Sequence, residues 1–306
     1  MTQTDVEIAS QPETWARALA EADQHRALLP RADESTLYVG CGTSAFVAHA
    51  ASLLCQHAGF AGTDWAYASE LPDRGYDRVV ALTRSGTTTE VLEALRGPLA
   101  CAHRVVVTGA PDEVPADVVD ELVDLSFADE LSVVQTRFPT TVLALLRHLL
   151  GEDLGQLQAE LGLVLTGASG PDLAAFDLDR LDHFVFLGRD WALGLAHEAA
   201  LKLRESAQAW SESFPALDYR HGPIAVADAR TLVVPLSDVD PLLRDDIERT
   251  GATVVDLGGD PLTRLVWCQR FAAAVAAHKG LDPDVPRHLT RSVVLPPPAP
   301  VPTDAV

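Results

Sequence analysis

The chain has 306 residues, 47% of them hydrophobic and 22% charged, and its formal net charge is −21 at pH 7. That length suits two ordinary domains or one large two-lobed unit with a real core, while the negative balance excludes nucleic acid as a natural partner, since gripping a phosphate backbone needs a broad Lys/Arg surface. No run approaches the roughly 18 uncharged apolar residues of a membrane span, and Met1-Thr2-Gln3-Thr4-Asp5 lacks the basic start and apolar stretch of a signal peptide, so a cytoplasmic location without membrane contact is expected.

In chain order, the first 33 residues read as a leading helical segment, with a helix over Thr14 to Leu28. Thr36-Leu37-Tyr38-Val39-Gly40-Cys41-Gly42 is a short β-like run ending in glycines, and a helix follows from Ser44 to Gln56. Strands are predicted at Asp77 to Thr83 and Arg104 to Gly109, then a helix at Phe138 to Leu150 and a Gly- and Leu-rich linker to about Asp177. The order of strand, glycine and helix then recurs: His183 to Arg189 and Asp190 to Trp210 answer the first pair, Thr231 to Ser237 answers the second strand, and Ala252 to Gly258 the third. Offsets near 150 residues indicate two copies of one α/β unit, each a parallel sheet sandwiched between helices. The divisions expected are 1–33 for the leading segment, 34–160 for the first unit and 178–295 for the second. From Pro296 onward the Pro-rich sequence, 296–306, reads as a disordered tail.

Between the second strand and its helix stands Thr83-Arg84-Ser85-Gly86-Thr87-Thr88-Thr89-Glu90. Thr83, Ser85, Thr87 and Thr88 supply hydroxyls, Gly86 lets the backbone approach closely, and the helix that follows offers its N–H groups and dipole to a phosphate. Ser44, opening the preceding helix, can contribute from the neighbouring strand. Thr87 and Glu90 also have the spacing of a capping box, which would merely satisfy the first turn. The second copy has Asp238-Val239-Asp240-Pro241 in that place, whose carboxylates would repel an anion. Only the first copy is therefore expected to bind phosphate.

Further along, Glu198, Lys202 and Glu205 recur at i, i+4 and i+7 on one face of an alanine- and leucine-rich helix. Buried there, they would need one another or a ligand, and a carboxylate beside a substrate carbon is what proton transfer next to a carbonyl requires. The alternative is an ordinary ion pair worth little. His221, in the turn Tyr219-Arg220-His221-Gly222-Pro223, is the best candidate for moving a proton on a ring oxygen. Of 23 basic residues only Lys202 and Lys279 are lysine, which either marks positions where a compact or titratable amine is wanted or reflects chance survival on a surface. The four cysteines show neither paired nor zinc spacing; no metal site and no cofactor are expected.

These motifs together resemble the tandem sugar isomerase (SIS) domain family. The likeness is to the isomerase half of glucosamine-6-phosphate synthase and to stand-alone SIS-type aminosugar-phosphate deaminases. It runs from Glu7-Ile8-Ala9-Ser10-Gln11-Pro12 to about Leu295. It is carried by Cys41-Gly42-Thr43-Ser44, Ser85-Gly86-Thr87-Thr88, the helix from Glu198 to Glu205, His221-Gly222-Pro223 and the stretch from Asp282 to Val293. The resemblance implies two tandem flavodoxin-like units and a phosphate site drawn from Ser44, Thr83, Arg84, Ser85, Gly86 and Thr88. It also implies Glu205 moving a proton between C1 and C2 of an open-chain hexose 6-phosphate, aided by Glu198 and Lys202. His221 would assist ring opening from the neighbouring subunit, so a homodimer is implied. Gly42, Thr43, Gln135 and Arg291 are further candidates for substrate contact.

Three departures stand out. The glutaminase half with its N-terminal cysteine nucleophile is expected to be missing, so glutamine-driven synthesis is not expected. Arg291 stands where the synthase has a lysine that engages the ketose carbonyl, and a guanidinium cannot form a Schiff base. Arg84 and Gln135 replace a glutamine and a serine. The expected activity is thus an aldose–ketose isomerase or aminosugar-phosphate deaminase acting on a glucosamine- or galactosamine-6-phosphate. The alternatives are a fructosamine-6-phosphate deglycase and a non-catalytic sugar-phosphate sensor.

Overall fold

The computed structural model describes residues 1–296, so the expectation for the tail lies outside the described residues apart from Pro296. Two parallel sheets carry the chain. The first comprises β1 (Thr36–Gly40), β2 (Thr63–Tyr67), β3 (Arg78–Leu82), β4 (His103–Thr108) and β5 (Glu121–Asp124), in the order β2-β1-β3-β4-β5. The second comprises β6 (His183–Gly188), β7 (Ser211–Pro215), β8 (Thr231–Pro235) and β9 (Thr253–Val254), in the order β7-β6-β8-β9. Both start from the second strand, pass to the first and continue outward, and the first sheet has the flavodoxin order. All residues of β1, β3 and β8 are buried, as both-faced cover of a parallel sheet demands.

The helices are α1 (Gln3–Ala9), α2 (Gln11–Ala20), α3 (Thr43–His57), α4 (Thr89–Arg96), α5 (Arg137–Leu149), α6 (Gly155–Thr166), α7 (Ala192–Ala207), α8 (Pro241–Glu248) and α9 (Pro261–His278). Because side chains alternate across a strand, each sheet feeds two cores. Tyr38, Val80 and Leu82 of the first sheet and Phe184, Phe186 and Val234 of the second share one core with α3, α5, α7 and α9. Leu37, Val39, Val79 and Ala81 pack outward on α4, and Val185, Leu187 and Val233 outward on α8. Helices α3 and α7 therefore lie between the sheets, which explains why both are buried nearly all round. Gly40 and Gly188 end equivalent strands for one reason: a Cβ would lie 2.6 Å from Ser44 C in the first and 2.4 Å from Ala192 O in the second.

Two expectations are corrected. The leading helix is three pieces, α1, α2 and a 3₁₀ run Ala22–Leu28, because Pro12 belongs in a first turn and restarts the helix after Ser10. The supposed linker contains α6, whose Leu157, Leu161 and Val164 are buried against the central core while its glycines mask the pattern. Among the described residues no helix is long and apolar enough to cross a membrane.

Candidate active site

In an open parallel sheet the crevice for a ligand forms beyond the carboxyl ends of the strands where the strand order reverses, here between β1 and β3. From it run the turn at Cys41 and Gly42 into α3 and the loop 83–88 into α4. Gly42 and Thr88 are the N-caps, and neither gives its helix a side-chain hydrogen bond. The capping box of Thr87 and Glu90 does not form. Among the described residues the N–H of Thr43 in α3 and those of Glu90 and Val91 in α4 have no partner, which suits an anion.

The loop is buried and polar. Gly86 turns at φ 72, with Ala110 O 3.1 Å from where a Cβ would stand. The hydroxyls of Ser85, Thr87 and Ser292 form a triangle with edges of 3.0 Å from Ser85 to Ser292, 3.0 Å from Thr87 to Ser292 and 3.3 Å from Thr87 to Ser85. Thr83 Oγ1 is buried without a partner, and Ser44 is buried in the first turn of α3. Ser292 arrives from the far end of the chain: Thr89 N–H donates to Val293 O at 3.1 Å, and Leu295 N–H donates to Thr89 Oγ1 at 2.9 Å. Residues 292–295 thus lie along the start of α4.

The two arginines expected near the ligand are tied elsewhere. Arg84 is 2% exposed, and its guanidinium donates to Ser132 O at 2.7 Å, Glu130 O at 3.3 Å and Arg291 O at 2.9 Å. Those carbonyls take up its two terminal nitrogens while Nε stays buried without a partner, so it acts as a strut under the loop that holds the C-terminal segment in place. Arg291 gives two hydrogen bonds of 2.7 Å to the Asp129 carboxylate and a third to Glu130 O, so its guanidinium is engaged by the supporting loop. Gln135, in the same supporting loop, keeps a buried Oε1 with no partner.

On α7 the predicted face is real. Lys202 Nζ donates to Glu205 Oε2 at 2.6 Å and to Thr43 Oγ1 at 3.1 Å, and it stands 3.2 Å from Glu198 Oε1. That last contact is an ion pair without an aligned hydrogen bond, and neither Glu198 oxygen has a hydrogen-bond partner. Burial pushes the Glu198 carboxyl up to about 7 against the pull of Lys202. Burial also draws the Lys202 ammonium down, but Glu198 and Glu205 outweigh it and leave the lysine raised. Through Thr43 the lysine links this charged face of the second unit to the first turn of α3. Burial, with Glu90 nearby, holds the Cys41 thiol up to about 11, so the cysteine of this turn is no nucleophile near neutrality.

The other predicted residues fall outside this cluster. Lys279 Nζ donates to Ala207 O at 3.1 Å and so secures the end of α7. His221 is exposed after the 3₁₀ turn Leu217–Arg220, and its ring makes no hydrogen bond among the described residues. Ser292 was not anticipated as a member of the loop: it stands 207 positions from Ser85, and only its place beside Arg291 in the C-terminal motif could have drawn attention to it.

No protein-family model matches the chain. It is 28% identical over 319 residues to a glutamine–fructose-6-phosphate aminotransferase (isomerizing) of Gloeobacter violaceus, covering 86% of this chain and 52% of that protein. The chain thus spans about half the length of the curated relatives it matches. Among solved structures it resembles a glucosamine-6-phosphate deaminase from Thermotoga maritima, with a TM-score of 0.81, 26% identity and coverage of 96% of this chain and 100% of that one. It shares the fold of the C-terminal domain of a glucosamine-fructose-6-phosphate aminotransferase from Francisella tularensis, with a TM-score of 0.76, 21% identity and coverage of 94% and 98%. The motifs, the paired sheets and these likenesses agree: the chain is similar to the isomerase part of glutamine–fructose-6-phosphate aminotransferases and shares its fold with phosphosugar isomerases and a glucosamine-6-phosphate deaminase.

Proposed function

We propose that the chain is a phosphosugar isomerase or deaminase that opens an aminosugar 6-phosphate and moves a proton between C1 and C2. The observation that carries this is the link from Glu205 through Lys202 to Thr43, which couples a proton-transfer carboxylate to the crevice bearing the hydroxyl-lined loop. The phosphate is held by Ser44, Thr83, Ser85 and Thr88 with the free N–H groups of α3 and α4. The carbon chain then runs toward α7.

For a 2-amino aldose, Glu205 takes the proton from C2 and returns it at C1. The enolamine so formed becomes an iminium at C2, water adds there, and the C2–N bond breaks to give ketose 6-phosphate and ammonia. Lys202, fixed by three oxygens, orients Glu205 and offers positive charge to the oxygen that gains electrons. Glu198 in turn holds Lys202. Ring opening needs a proton delivered to the ring oxygen, a task suited to imidazole. His221, exposed on its own chain, is proposed to serve the site of a partner subunit in a homodimer.

Purified protein given glucosamine 6-phosphate or galactosamine 6-phosphate is expected to release ammonia, and Glu205→Gln to slow it by about 10²- to 10⁴-fold. Release no faster than from that variant, on both sugars, overturns the assignment.

A further inference from the structure

We propose that Glu7 is a positioning residue for the phosphate grip: from α1 it holds the segment 130–132 against Arg84, and so sets the affinity for phosphate without touching it. The inference rests on reading the loop 83–88 as the phosphate site.

Three charged side chains lie buried around the base of that loop: Glu7, Glu130 and Arg84. Taking them out of water is costly unless each is engaged. Neither carboxylate bonds the guanidinium directly; all three side chains act on one stretch of backbone instead. Glu7 Oε1 accepts from Leu131 N–H at 2.6 Å and from Ser132 N–H at 3.4 Å, and Glu7 Oε2 pairs with the Ser132 hydroxyl. Glu130 Oε1 accepts from the Thr136 hydroxyl and from Arg137 N–H, both at 2.7 Å, which pins the segment to the start of α5. From the other side Arg84 donates to Glu130 O and Ser132 O. The peptide unit joining Glu130 to Leu131 is therefore held at both ends, its N–H by a carboxylate and its C=O by a guanidinium. That is the favourable alignment of a peptide dipole, in which each hydrogen bond strengthens the next. Burial is the largest influence on Arg84 and Glu130, drawing the guanidinium down and the carboxyl up, and each is the strongest counterweight to it in the other.

Helix α1 is itself fixed by the C-terminal segment. The N–H groups of Gln3 and Thr4 and the Thr4 hydroxyl donate to the Asp284 carboxylate at 2.6, 2.8 and 2.7 Å. Arg84 reaches the same segment at Arg291 O, next to Ser292 of the hydroxyl triangle. A ring of contacts thus closes round the loop, from α1 through residues 131–132 and Arg84 to Arg291, and back along the chain to Asp284. Without Glu7, the N–H groups of Leu131 and Ser132 lose their acceptor and the carbonyls that orient Arg84 are released. Arg84 then no longer keeps Arg291, and with it Ser292, in register with Ser85 and Thr87. Glu205 and Lys202 lie outside this ring, so the effect falls on binding rather than on proton transfer.

The test measures affinity for fructose 6-phosphate by calorimetry, and KM and kcat from ammonia release with glucosamine 6-phosphate. Glu7→Ala is expected to weaken binding and raise KM at least about tenfold, the scale of loss when a remote change misplaces a binding group, with kcat within about twofold. Glu7→Gln, which keeps one oxygen for Leu131 N–H, is expected to show a loss of about threefold, and it carries the test if Glu7→Ala does not fold. Arg147→Met serves as the control for lost stability, since it removes a buried guanidinium that pairs with Asp260 at 2.8 Å near the opposite end of α5. It should lower the melting temperature and leave the affinity unchanged. Unaltered affinity in the folded Glu7 variants, or an equal loss in Arg147→Met, overturns the inference while the loop reading stands. If the wild type binds no fructose 6-phosphate, or Thr88→Asp leaves its affinity unchanged, the loop reading falls and the inference with it.

Discussion

Strands β3 and β8 hold the same place in sheets of the same order, yet the loops leaving them are chemical opposites. After β8, Asp238 is paired with Arg264 at 2.6 Å, and Asp240 caps α8 by accepting from the N–H groups of Leu242 at 3.0 Å and Leu243 at 3.2 Å. The second unit thus satisfies its helix end with its own carboxylate. After β3, Thr88 caps no N–H of α4, Val293 O accepts only from Thr89, the N–H groups of Glu90 and Val91 have no partner among the described residues, and hydroxyls gather nearby. In the function proposed above, the unit that leaves a helix end open takes the anion, and the other, whose loop end is capped, supplies the proton chemistry from α7.

The comparison can be broken most severely by making the first loop resemble the second. Thr88→Asp installs the missing cap and a negative charge where phosphate binds. Affinity for a hexose 6-phosphate, measured by calorimetry, is expected to fall at least about 100-fold, since a charge-assisted contact is replaced by repulsion. Thermal stability should hold or rise by roughly 0.5–1 kcal/mol. Retained binding would show that the open N-terminus of α4 is not the anion site.

The second unit can be probed through Glu198. Its carboxyl is raised in the folded chain to about 7 from an ordinary 4.5, so the folded state holds a proton that the unfolded chain has lost over that window. Stability contributed by this group is full below 4.5 and is lost as pH rises toward 7. In Glu198→Gln that loss should vanish, and the melting temperatures of variant and wild type, compared from pH 5 to 8, should diverge as pH rises. Parallel curves would mean that Glu198 is not held protonated by burial.

The smallest effect is expected at Ser292. Ser292→Ala removes one corner of the hydroxyl triangle, and KM for the sugar phosphate is expected to rise about fivefold, the worth of one hydrogen bond of about 1 kcal/mol, with kcat little changed. An unchanged or lower KM would show that the Ser292 hydroxyl competes with phosphate rather than joining it.

Much of this was legible beforehand for a physical reason. Central strands such as Val79 to Leu82 and Phe184 to Leu187 are covered on both faces and read as unbroken apolar runs. The face of Glu198, Lys202 and Glu205 is set by helical spacing alone. The strands β2, β5 and β7 were not anticipated, because an edge strand such as Ser211–Pro215 mixes polar and apolar residues and is defined by its neighbour, β6, rather than by its own pattern. Arg84 shows another limit. Residue type suggested a phosphate grip, whereas its rotamer and the carbonyls of Glu130, Ser132 and Arg291 made it a strut. Sequence separation hides such contacts, and Ser85 with Ser292 is the extreme case.

That separation also orders events during synthesis. With 207 positions between the two serines and translation at about 5–20 residues per second, Ser292 is made roughly 10 to 40 s after the loop it completes. In that interval the loop of the first sheet is short of one hydroxyl, and Arg84 lacks its Arg291 carbonyl. The hydroxyl triangle therefore closes only on a chain whose α7 has already been made.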